Sequence, residues 1–177
     1  MNIKAALATI ADLEQHPGRA ELIHGELIEM SPTGFEHGRV ASRIVWLLSA
    51  FCYEKKAGVV LTCDPGFIWD AQNVRAPDVA VVGIEQAQAA PTRGFMTFAP
   101  RLVVEVVSPS DAWSEVRAKV RGWLAHGTAV VWVVDPSDQT VEVAGSSTAP
   151  HELTVADTID GGAALPGFSV QVSEFFA

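Results

Sequence analysis

The sequence has few cysteines and no long apolar run, and each shortage excludes a class of protein. Cys52 and Cys63 are its only cysteines among 177 residues, and they do not form a Cys-x-x-Cys motif. A chain of this length does not need a disulfide to fold, so we expect two free, buried thiols. No stretch approaches the roughly 20 apolar residues that a membrane-spanning helix requires.

Positive charge is also scarce. The sequence holds 12 Lys and Arg against 21 Asp and Glu, which gives a formal net charge of -9. Affinity for phosphate comes mainly from clustered Lys and Arg, so a broad nucleic-acid-binding surface is not expected. Any contact with nucleic acid would need a local basic patch.

The composition is otherwise that of a globular protein. Apolar residues make up 49% of the chain and charged residues 19%, and this length predicts one domain over residues 1–177. The first 11 residues are faintly signal-like, but Asp12 and Glu14 follow at once and the apolar part is short. We therefore predict a small N-terminal helix in a cytoplasmic protein.

Apolar patterns separated by turn residues predict a mixture of strands and helices. Residues 102–107 and 129–134 are nearly continuous apolar runs, typical of strands buried on both faces. Between them Asp111 can cap a helix whose core-facing stripe includes Trp113 and which ends at Gly127, so this segment predicts a parallel strand-helix-strand unit. The other predicted elements are a hairpin about His24-Gly25, a helix from 35 to about 56, a hairpin of strands 59–63 and 66–69, a strand over 76–82, a loop over 83–100 with room for one helical turn, and short peripheral strands at 140–143, 153–155 and 168–170.

A single carboxylate, Glu105, stands in the middle of the first apolar strand. An unpaired charge buried there would cost several kcal/mol or more, so Glu105 must be protonated, ion-paired or bound to a metal. From this stretch alone, a structural ion pair or a carboxylate that reaches water at the strand end explains Glu105 as well as a functional role does.

Two further residues make a metal site conceivable. Asp78 opens the preceding apolar strand, and Lys119 lies on the helix predicted after Glu105. Mg²⁺ prefers carboxylate and carbonyl oxygen and keeps several waters, so Asp78, Glu105 and the backbone carbonyl of Val106 could supply its ligands. A lysine beside such a metal can lower the pKa of an attacking water or stabilise charge on a phosphoryl oxygen.

Helical spacing puts Lys119 at the edge of the apolar stripe. From there its stem can follow the sheet and its ammonium can approach a strand end. The alternative is a surface lysine that serves only solubility.

Eight short stretches carry a resemblance to a known family. They are Glu-Leu-Ile-His-Gly-Glu-Leu at 21–27, Met-Ser-Pro at 30–32, Glu-His at 36–37, Pro-Asp-Val at 77–79, Leu-Val-Val-Glu-Val-Val-Ser-Pro-Ser at 102–110, Lys119, Trp-Val-Val-Asp-Pro at 132–136 and Leu-Pro-Gly-Phe at 165–168. Together, and in this order, they resemble the Uma-type family of restriction endonucleases. The resemblance spans nearly the whole chain, and the combination is specific although the single motifs are not.

That family belongs to the PD-(D/E)XK nuclease superfamily. The resemblance implies an α/β (α+β) fold with a restriction-endonuclease-like core, a mixed central sheet flanked by helices, and extra N- and C-terminal strands. It also implies that Asp78 and Glu105 are the catalytic, metal-binding carboxylates. Val107 stands two residues after Glu105, where the superfamily has a lysine. The matching lysine is Lys119, whose ammonium must then reach the site from the following helix.

Three other residues are secondary candidates for the site. Glu36 and His37 open a predicted helix, where the dipole favours a carboxylate and the imidazole could face a phosphate or assist proton transfer. A simple capping role explains Glu36 equally well. Glu26 lies in a strand that the family also keeps polar, and it is a candidate for a further metal ligand.

Two functions are consistent with these residues. The first is an endonuclease that uses Mg²⁺, or Mn²⁺ as its substitute, to hydrolyse phosphodiester bonds of DNA, with Lys119 stabilising the transition state. The second is a catalytically inactive nuclease-fold domain with a structural or nucleic-acid-associated role, in which Asp78 and Glu105 are ion-paired, with Lys119 as a candidate partner.

The endonuclease hypothesis needs a basic surface. Its candidates for DNA contact are Arg39, Arg117 and Arg121, with Arg43, Arg75 and Arg93 as additions. A homodimer could join two such patches into one groove, as a double-strand cut would require.

Overall fold

The computed structural model describes residues 7–146 and 148–177, and these form five helices and twelve strands. The helices are α1 (Ile10–Glu14), α2 (Phe35–Lys55), α3 (Ile84–Ala89), α4 (Trp113–His126) and α5 (Ser173–Phe176). The strands are β1 (Ala20–Ile23), β2 (Glu26–Glu29), β3 (Val59–Thr62), β4 (Phe67–Asp70), β5 (Asn73–Arg75), β6 (Val79–Val82), β7 (Leu102–Val106), β8 (Val130–Asp135), β9 (Thr140–Gly145), β10 (Thr148–Leu153), β11 (Thr158–Asp160) and β12 (Ser169–Gln171).

The predicted N-terminal helix is described only in part. Residues 1–6 lie outside the described residues, and the helix that follows begins at Ile10. No helix in the described ranges is both long and apolar enough to cross a membrane.

Six strands form the central sheet, in the order β10-β9-β8-β7-β6-β3. Strands β7 and β8 are parallel and are joined by α4, which confirms the predicted strand-helix-strand unit. The other neighbouring strands of this sheet pair antiparallel. The sheet is therefore mixed, as predicted.

Helices α2 and α4 contribute to two different apolar clusters on either side of β7. Alternate residues of a strand point to opposite faces. Leu102, Val104 and Val106 pack in the cluster that contains the buried residues of α2, whereas Val103 packs in the cluster that contains those of α4. Glu105 follows the same alternation and points toward α4.

A second sheet, β2-β1-β5-β4, holds the N-terminal strands. Its predicted hairpin about His24-Gly25 is present, with both residues at positive φ. The prediction that strands 59–63 and 66–69 form a hairpin is wrong, because β3 pairs with β6 and β4 pairs with β5. Cys63 and Asp64 both adopt a left-handed backbone after β3, and this turn directs the chain from the central sheet into the second one.

Other local predictions around turns are also corrected. Asp111 does not cap α4: the N-cap residue is Ala112, and the Asp111 carboxylate instead accepts a hydrogen bond from the Ser108 amide at 2.8 Å. Trp113 starts the helix and is 43% exposed rather than part of the core. Cys63 is exposed, although Cys52 is buried as expected, and both thiols are free. The helical turn allowed for within the predicted loop over 83–100 is present as α3, whereas the three-residue strand β5 has no counterpart in the predicted elements.

Gly122 allows the second sheet to approach α4. A Cβ atom added at this glycine would overlap the indole of Trp69 in β4. That indole has little freedom to move, because it packs edge-on against Trp123 and stacks on His126. The contact fixes the part of α4 that faces Glu105.

Gly122→Ala is expected to lower the free energy of unfolding by about 1–3 kcal/mol, as overpacked cores do. This is the net change, after the ~1 kcal/mol that alanine normally gains over glycine inside a helix. Urea unfolding followed by circular dichroism measures the change. Gly38→Ala in α2 is the matched control, because nothing lies within 4 Å of an added Cβ there, and it should stabilise the protein. Equal stabilisation by the two variants would contradict the close approach.

Candidate functional site

The candidate site lies at one end of the central sheet. Strand β7 runs toward this end and the antiparallel β6 runs away from it. Glu105, near the end of β7, and Asp78, just before β6, are therefore brought side by side. The sheet topology alone explains why two carboxylates so far apart in the sequence meet.

Both carboxylate oxygens of Glu105 accept hydrogen bonds from α4. Oε2 accepts from Nζ of Lys119 at 2.9 Å, and Oε1 accepts from Nε1 of Trp123 at 2.7 Å. The two donors are one helical turn apart and so lie on one face of the helix. Glu105 is only 7% exposed, so these partners replace the water that it has lost.

Three oxygens surround the ammonium of Lys119. Besides its bond to Glu105, it donates to the backbone carbonyl of Ala76 at 2.9 Å and lies 3.6 Å from Oε1 of Glu21. Val107, two residues after Glu105 in the sequence, packs against the apolar cluster under α4. The ammonium thus enters the site from the helix and not from β7.

Asp78 is bound from two directions. Its Oδ2 accepts a hydrogen bond from the Val106 amide at 2.7 Å, and its Oδ1 lies 3.3 Å from Nε2 of His37. Strand β6 pairs with β7 only as far as Val79, so the Asp78 side chain takes the place of a strand partner. Because the amide and carbonyl of a strand residue point to the same side, the Val106 carbonyl shares this edge.

The sequence patterns did not single out Glu21, which lies at the centre of this polar network. Its Oε1 accepts from the Ala76 amide at 2.7 Å, and its Oε2 lies 3.0 Å from Nε of Arg75. The signal that identifies Glu105, a carboxylate within an apolar strand, also applies to Glu21. It is weaker there because β1 has only four residues and Glu26 follows in the next strand.

Burial and neighbouring charges shift the pKa values of the central pair. Burial raises the pKa of Glu105 to about 7; the Lys119 ammonium opposes the shift, and the Asp78 and Glu21 carboxylates add to it. Burial alone would lower the pKa of Lys119, but the surrounding carboxylates, with Glu105 first, raise it above its ordinary value. Lys119 is therefore charged at neutral pH, whereas Glu105 titrates near neutrality.

Asp78 and His37 shift each other in opposite senses. Burial would raise the pKa of Asp78, yet the hydrogen bond and charge of His37, together with Lys119 and the Val106 amide, hold it below its usual value. Burial would lower the pKa of His37, but Asp78 raises it overall. The pair therefore favours an imidazolium beside a carboxylate.

A cavity of about 590 Å³ opens on these side chains. Asp78, Glu105 and Lys119 line it together with two loops, residues 29–34 before α2 and residues 107–111 before α4. Acidic residues outnumber basic ones along its wall, which also includes Glu29, Asp111 and Glu115. The cavity is thus a poor place for a phosphate unless a cation accompanies it.

Of the secondary candidates, only His37 joins the cluster. Glu26 is exposed on β2 and does not line the cavity. Glu36 is exposed and pairs with Arg39 on its own helix at 2.9 Å.

The candidate arginines do not form one patch at the site. Arg117 and Arg121 are exposed on α4, but each is two residues from Lys119 and so projects from the opposite side of the helix. Arg39 donates to two backbone carbonyls at the C-terminal end of the chain, at 2.8 and 3.0 Å. Of the others, Arg75 pairs with Glu21, Arg43 pairs with Glu174, and Arg93 is exposed.

The donor set fits a hard divalent cation. Each oxygen of Asp78 and Glu105 has one protein donor or charged partner and keeps further acceptor capacity, and both carboxylates line the cavity. Within the ranges 7–146 and 148–177, no group of three or more His, Cys, Asp or Glu side chains is arranged to hold a metal ion. Two carboxylates, the Val106 carbonyl and several waters would complete a shell, which suits Mg²⁺ better than Zn²⁺.

Comparison with protein-family models identifies the family. The Uma2 model, described as "Putative restriction endonuclease", matches residues 7–173. The chain belongs to the Uma2 family. The motif resemblance in the sequence is thereby confirmed. A comparison with curated proteins finds no match.

A solved structure shares the fold of this Uma2 protein. It is the crystal structure of "a putative nuclease belonging to DUF820" from Anabaena variabilis, with a TM-score of 0.82 and 18% sequence identity. The match covers 95% of this chain and 97% of that chain. The similarity confirms the expected mixed sheet flanked by helices. The family, by the description of its model, supports a nuclease function and implies a nucleic-acid substrate.

Without divalent cations, wild-type protein should lose stability relative to Glu105→Gln as the pH rises from about 4.5 to about 7. The folded-state pKa of Glu105 is raised from 4.5 to about 7, so over this range the folded protein holds a proton that the unfolded chain has released. Urea unfolding in the presence of EDTA should show a relative loss on the order of 1–3 kcal/mol.

Asp78→Asn is the matched control, with the opposite sign. Because the pKa of Asp78 is lowered from 3.8, wild-type protein should lose stability relative to this variant only as the pH falls below about 4. A difference between wild type and Glu105→Gln that does not change with pH would contradict the raised pKa.

Proposed function

We propose that this Uma2 protein is an endonuclease that uses Mg²⁺, with Mn²⁺ as a substitute, to hydrolyse phosphodiester bonds of DNA. The observation that carries the proposal is the placement of Asp78, Glu105 and Lys119 within one open cavity, with the ammonium 2.9 Å from a Glu105 oxygen. One domain over residues 1–177 and a cytoplasmic location remain part of the proposal.

Asp78, Glu105 and the Val106 carbonyl would hold the metal ion. When bound, it would supply positive charge to a phosphoryl oxygen and lower the pKa of a water molecule. The Val106 amide and His37 fix the Asp78 carboxylate, and Trp123 fixes that of Glu105. These contacts orient both carboxylates before a ligand arrives, which reduces the cost of ordering them.

Lys119 would stabilise the negative charge that builds on the phosphoryl group. Its ammonium keeps its charge at neutral pH because carboxylates surround it. Such a donor is most effective in a site from which water is largely excluded, and Lys119 is intermediate in exposure at the cavity wall. Glu21 and the Ala76 carbonyl hold it in place.

The acidic cavity wall makes the cation essential in this proposal. Glu29, Asp111 and Glu115 would repel a DNA phosphate, and the candidate arginines lie elsewhere or are paired. A divalent ion held by Asp78 and Glu105 would offset their two negative charges and so reduce the repulsion. DNA cleavage should therefore depend steeply on the metal concentration.

The inactive alternative is also supported by one observation. The Lys119–Glu105 ion pair that it expects is present at 2.9 Å. The two functions differ in one property: a purely structural ion pair would have no use for a metal ion, whereas an active centre must bind one.

Calorimetric titration should show that the wild type binds Mn²⁺ and Mg²⁺, and that Asp78→Asn and Glu105→Gln lose most of this affinity. The reason is that each variant removes one charged ligand with little change in the size and shape of the side chain. Glu26→Gln, an exposed carboxylate away from the cavity, is the control and should bind as the wild type does. A wild type that binds no metal would support the inactive alternative.

Lys119→Met should reduce cleavage of plasmid DNA about 10²- to 10³-fold, the usual effect of losing one transition-state donor. Metal binding should stay equal or become tighter, because a positive charge beside the site has been removed. Lys55→Met, at an exposed lysine that ends α2 and does not line the cavity, is the matched control and should cleave normally. Equal cleavage by the Lys119 variant would point to a contaminating nuclease or a different site.

A further inference from the structure

The outer side of α2 carries a row of exposed aromatic side chains. Phe35, Trp46 and Tyr53 are 80%, 57% and 90% exposed. At about 100° per residue, their separations of eleven and seven residues return them to within ~20° of one direction. The row spans about 27 Å of helix, on the side away from the buried residues that face the sheet. We call it the aromatic row.

The row offers a large aromatic surface. Large aromatic side chains bury about 150–250 Å² each when fully covered, so the three together, scaled by their exposed fractions, offer roughly 350–550 Å². Small and polar residues interrupt the row, but its area is about that of the largest exposed apolar patch on a typical monomer, which is often an interaction site. Two copies of the row would bury close to the ~1,000 Å² that a specific interface needs.

The charged groups beside the row are already paired within the chain. Arg43 bonds Glu174 through its backbone carbonyl and its side chain at 2.9 and 2.6 Å. Arg39 bonds Glu36 and the C-terminal carbonyls. A partner that covers the row would therefore not have to strip water from free guanidinium groups. A polyanion such as nucleic acid would find little free positive charge there, and the chain carries a net charge of -9.

Small side chains lie between the aromatic ones. Ser42, Ser49 and Ala50 share this side of α2. A groove of about 490 Å³ begins beside Ser42, where Ala41 and Val45 line it, and extends to His37 and Asp78. Aromatic ridges next to a groove with small residues are the shape that helix pairs use when ridges pack into grooves. The surface thus contains both the large side chains and the small ones that two packed helices would need.

We propose that the aromatic row is the interface of a homodimer in which two α2 helices pack antiparallel about a two-fold axis near residue 44. In this register Trp46 lies opposite Ser42 of the partner subunit, a large side chain against a small one, and Phe35 lies opposite the partner's Tyr53. Such an isologous contact repeats each pairing twice. The guanidinium of Arg43, 4.6 Å over the ring of Trp46, holds the indole ready for the contact.

Sedimentation velocity of the full chain at roughly 1–100 µM, without metal or DNA, tests the proposal. The wild type should be a dimer, and Trp46→Glu should weaken dimerisation about 30- to 100-fold, the effect expected of a central interface residue. Ser42→Glu should do the same, and because Ser42 is small and exposed, this second variant keeps the test valid if the first misfolds. Unchanged far-UV circular dichroism and thermal midpoints establish folding.

Val155→Glu is the matched control. It places the same charge at an apolar side chain that is 40% exposed but lies between β10 and β11, and it should remain dimeric. The proposal is overturned if the wild type is monomeric at all concentrations, or if both α2 variants remain dimeric. If the wild type is monomeric, titration with oligo(dT) tests the alternative occupant. Quenching of tryptophan fluorescence that Trp46→Glu abolishes would then identify the row as a base-stacking surface.

The dependence of binding on salt concentration distinguishes dimerisation from nucleic-acid binding. Dimerisation between two acidic chains through an apolar face should strengthen from roughly 0.05 to 0.5 M NaCl as repulsion is screened, whereas a nucleic-acid complex should weaken. Because the measurement involves neither metal nor cleavage, it can fail while the nuclease proposal stands, and the reverse is also true.

Discussion

The ion pair between Glu105 and Lys119 is the constraint on which the rest of the site depends. A carboxylate in a strand of buried valines is tolerated only because α4 supplies two donors to it, an ammonium and an indole N–H. Those donors fix the rotation and position of α4 over the sheet, and Gly122 lets Trp69 of the second sheet close over the same helix. The polar centre and the packing around it therefore specify each other.

The second sheet contributes to the centre more than its small size indicates. Glu21 of β1 accepts the Ala76 amide directly before the segment that holds Asp78, and it also faces Lys119 and Arg75. The charges alternate through Arg75, Glu21, Lys119 and Glu105, so each of these four groups has an oppositely charged neighbour. A divalent cation bound at this site would compete with Lys119 and His37 for the carboxylates of Glu105 and Asp78. It would also shift Glu105 fully to its ionised form.

The sequence predicts the central part of the fold because its signals there are strong and local. Two valine-rich runs with a helical stripe between them predict the β7-α4-β8 unit, and a lone carboxylate within one run identifies Glu105. The hairpin partner of β4 could not be predicted, since two residues at positive φ, Cys63 and Asp64, redirect the chain and neither is a glycine. Glu21 was missed for a related reason, because its role comes from contacts with Ala76 and Lys119, which are distant in the sequence. A four-residue strand is too short for its hydrophobic pattern to reveal such contacts.

The proposed activity depends on one property, that Asp78 and Glu105 share a divalent cation beside Lys119. Anomalous diffraction from crystals soaked in Mn²⁺ tests it most directly, because the anomalous signal locates the ion without reference to activity. If the ion binds there, one strong peak is expected within coordinating distance of an Asp78 oxygen, a Glu105 oxygen and the Val106 carbonyl. No peak in that cavity, with Glu105 still bonded to Lys119 and Trp123 at saturating Mn²⁺, would contradict it.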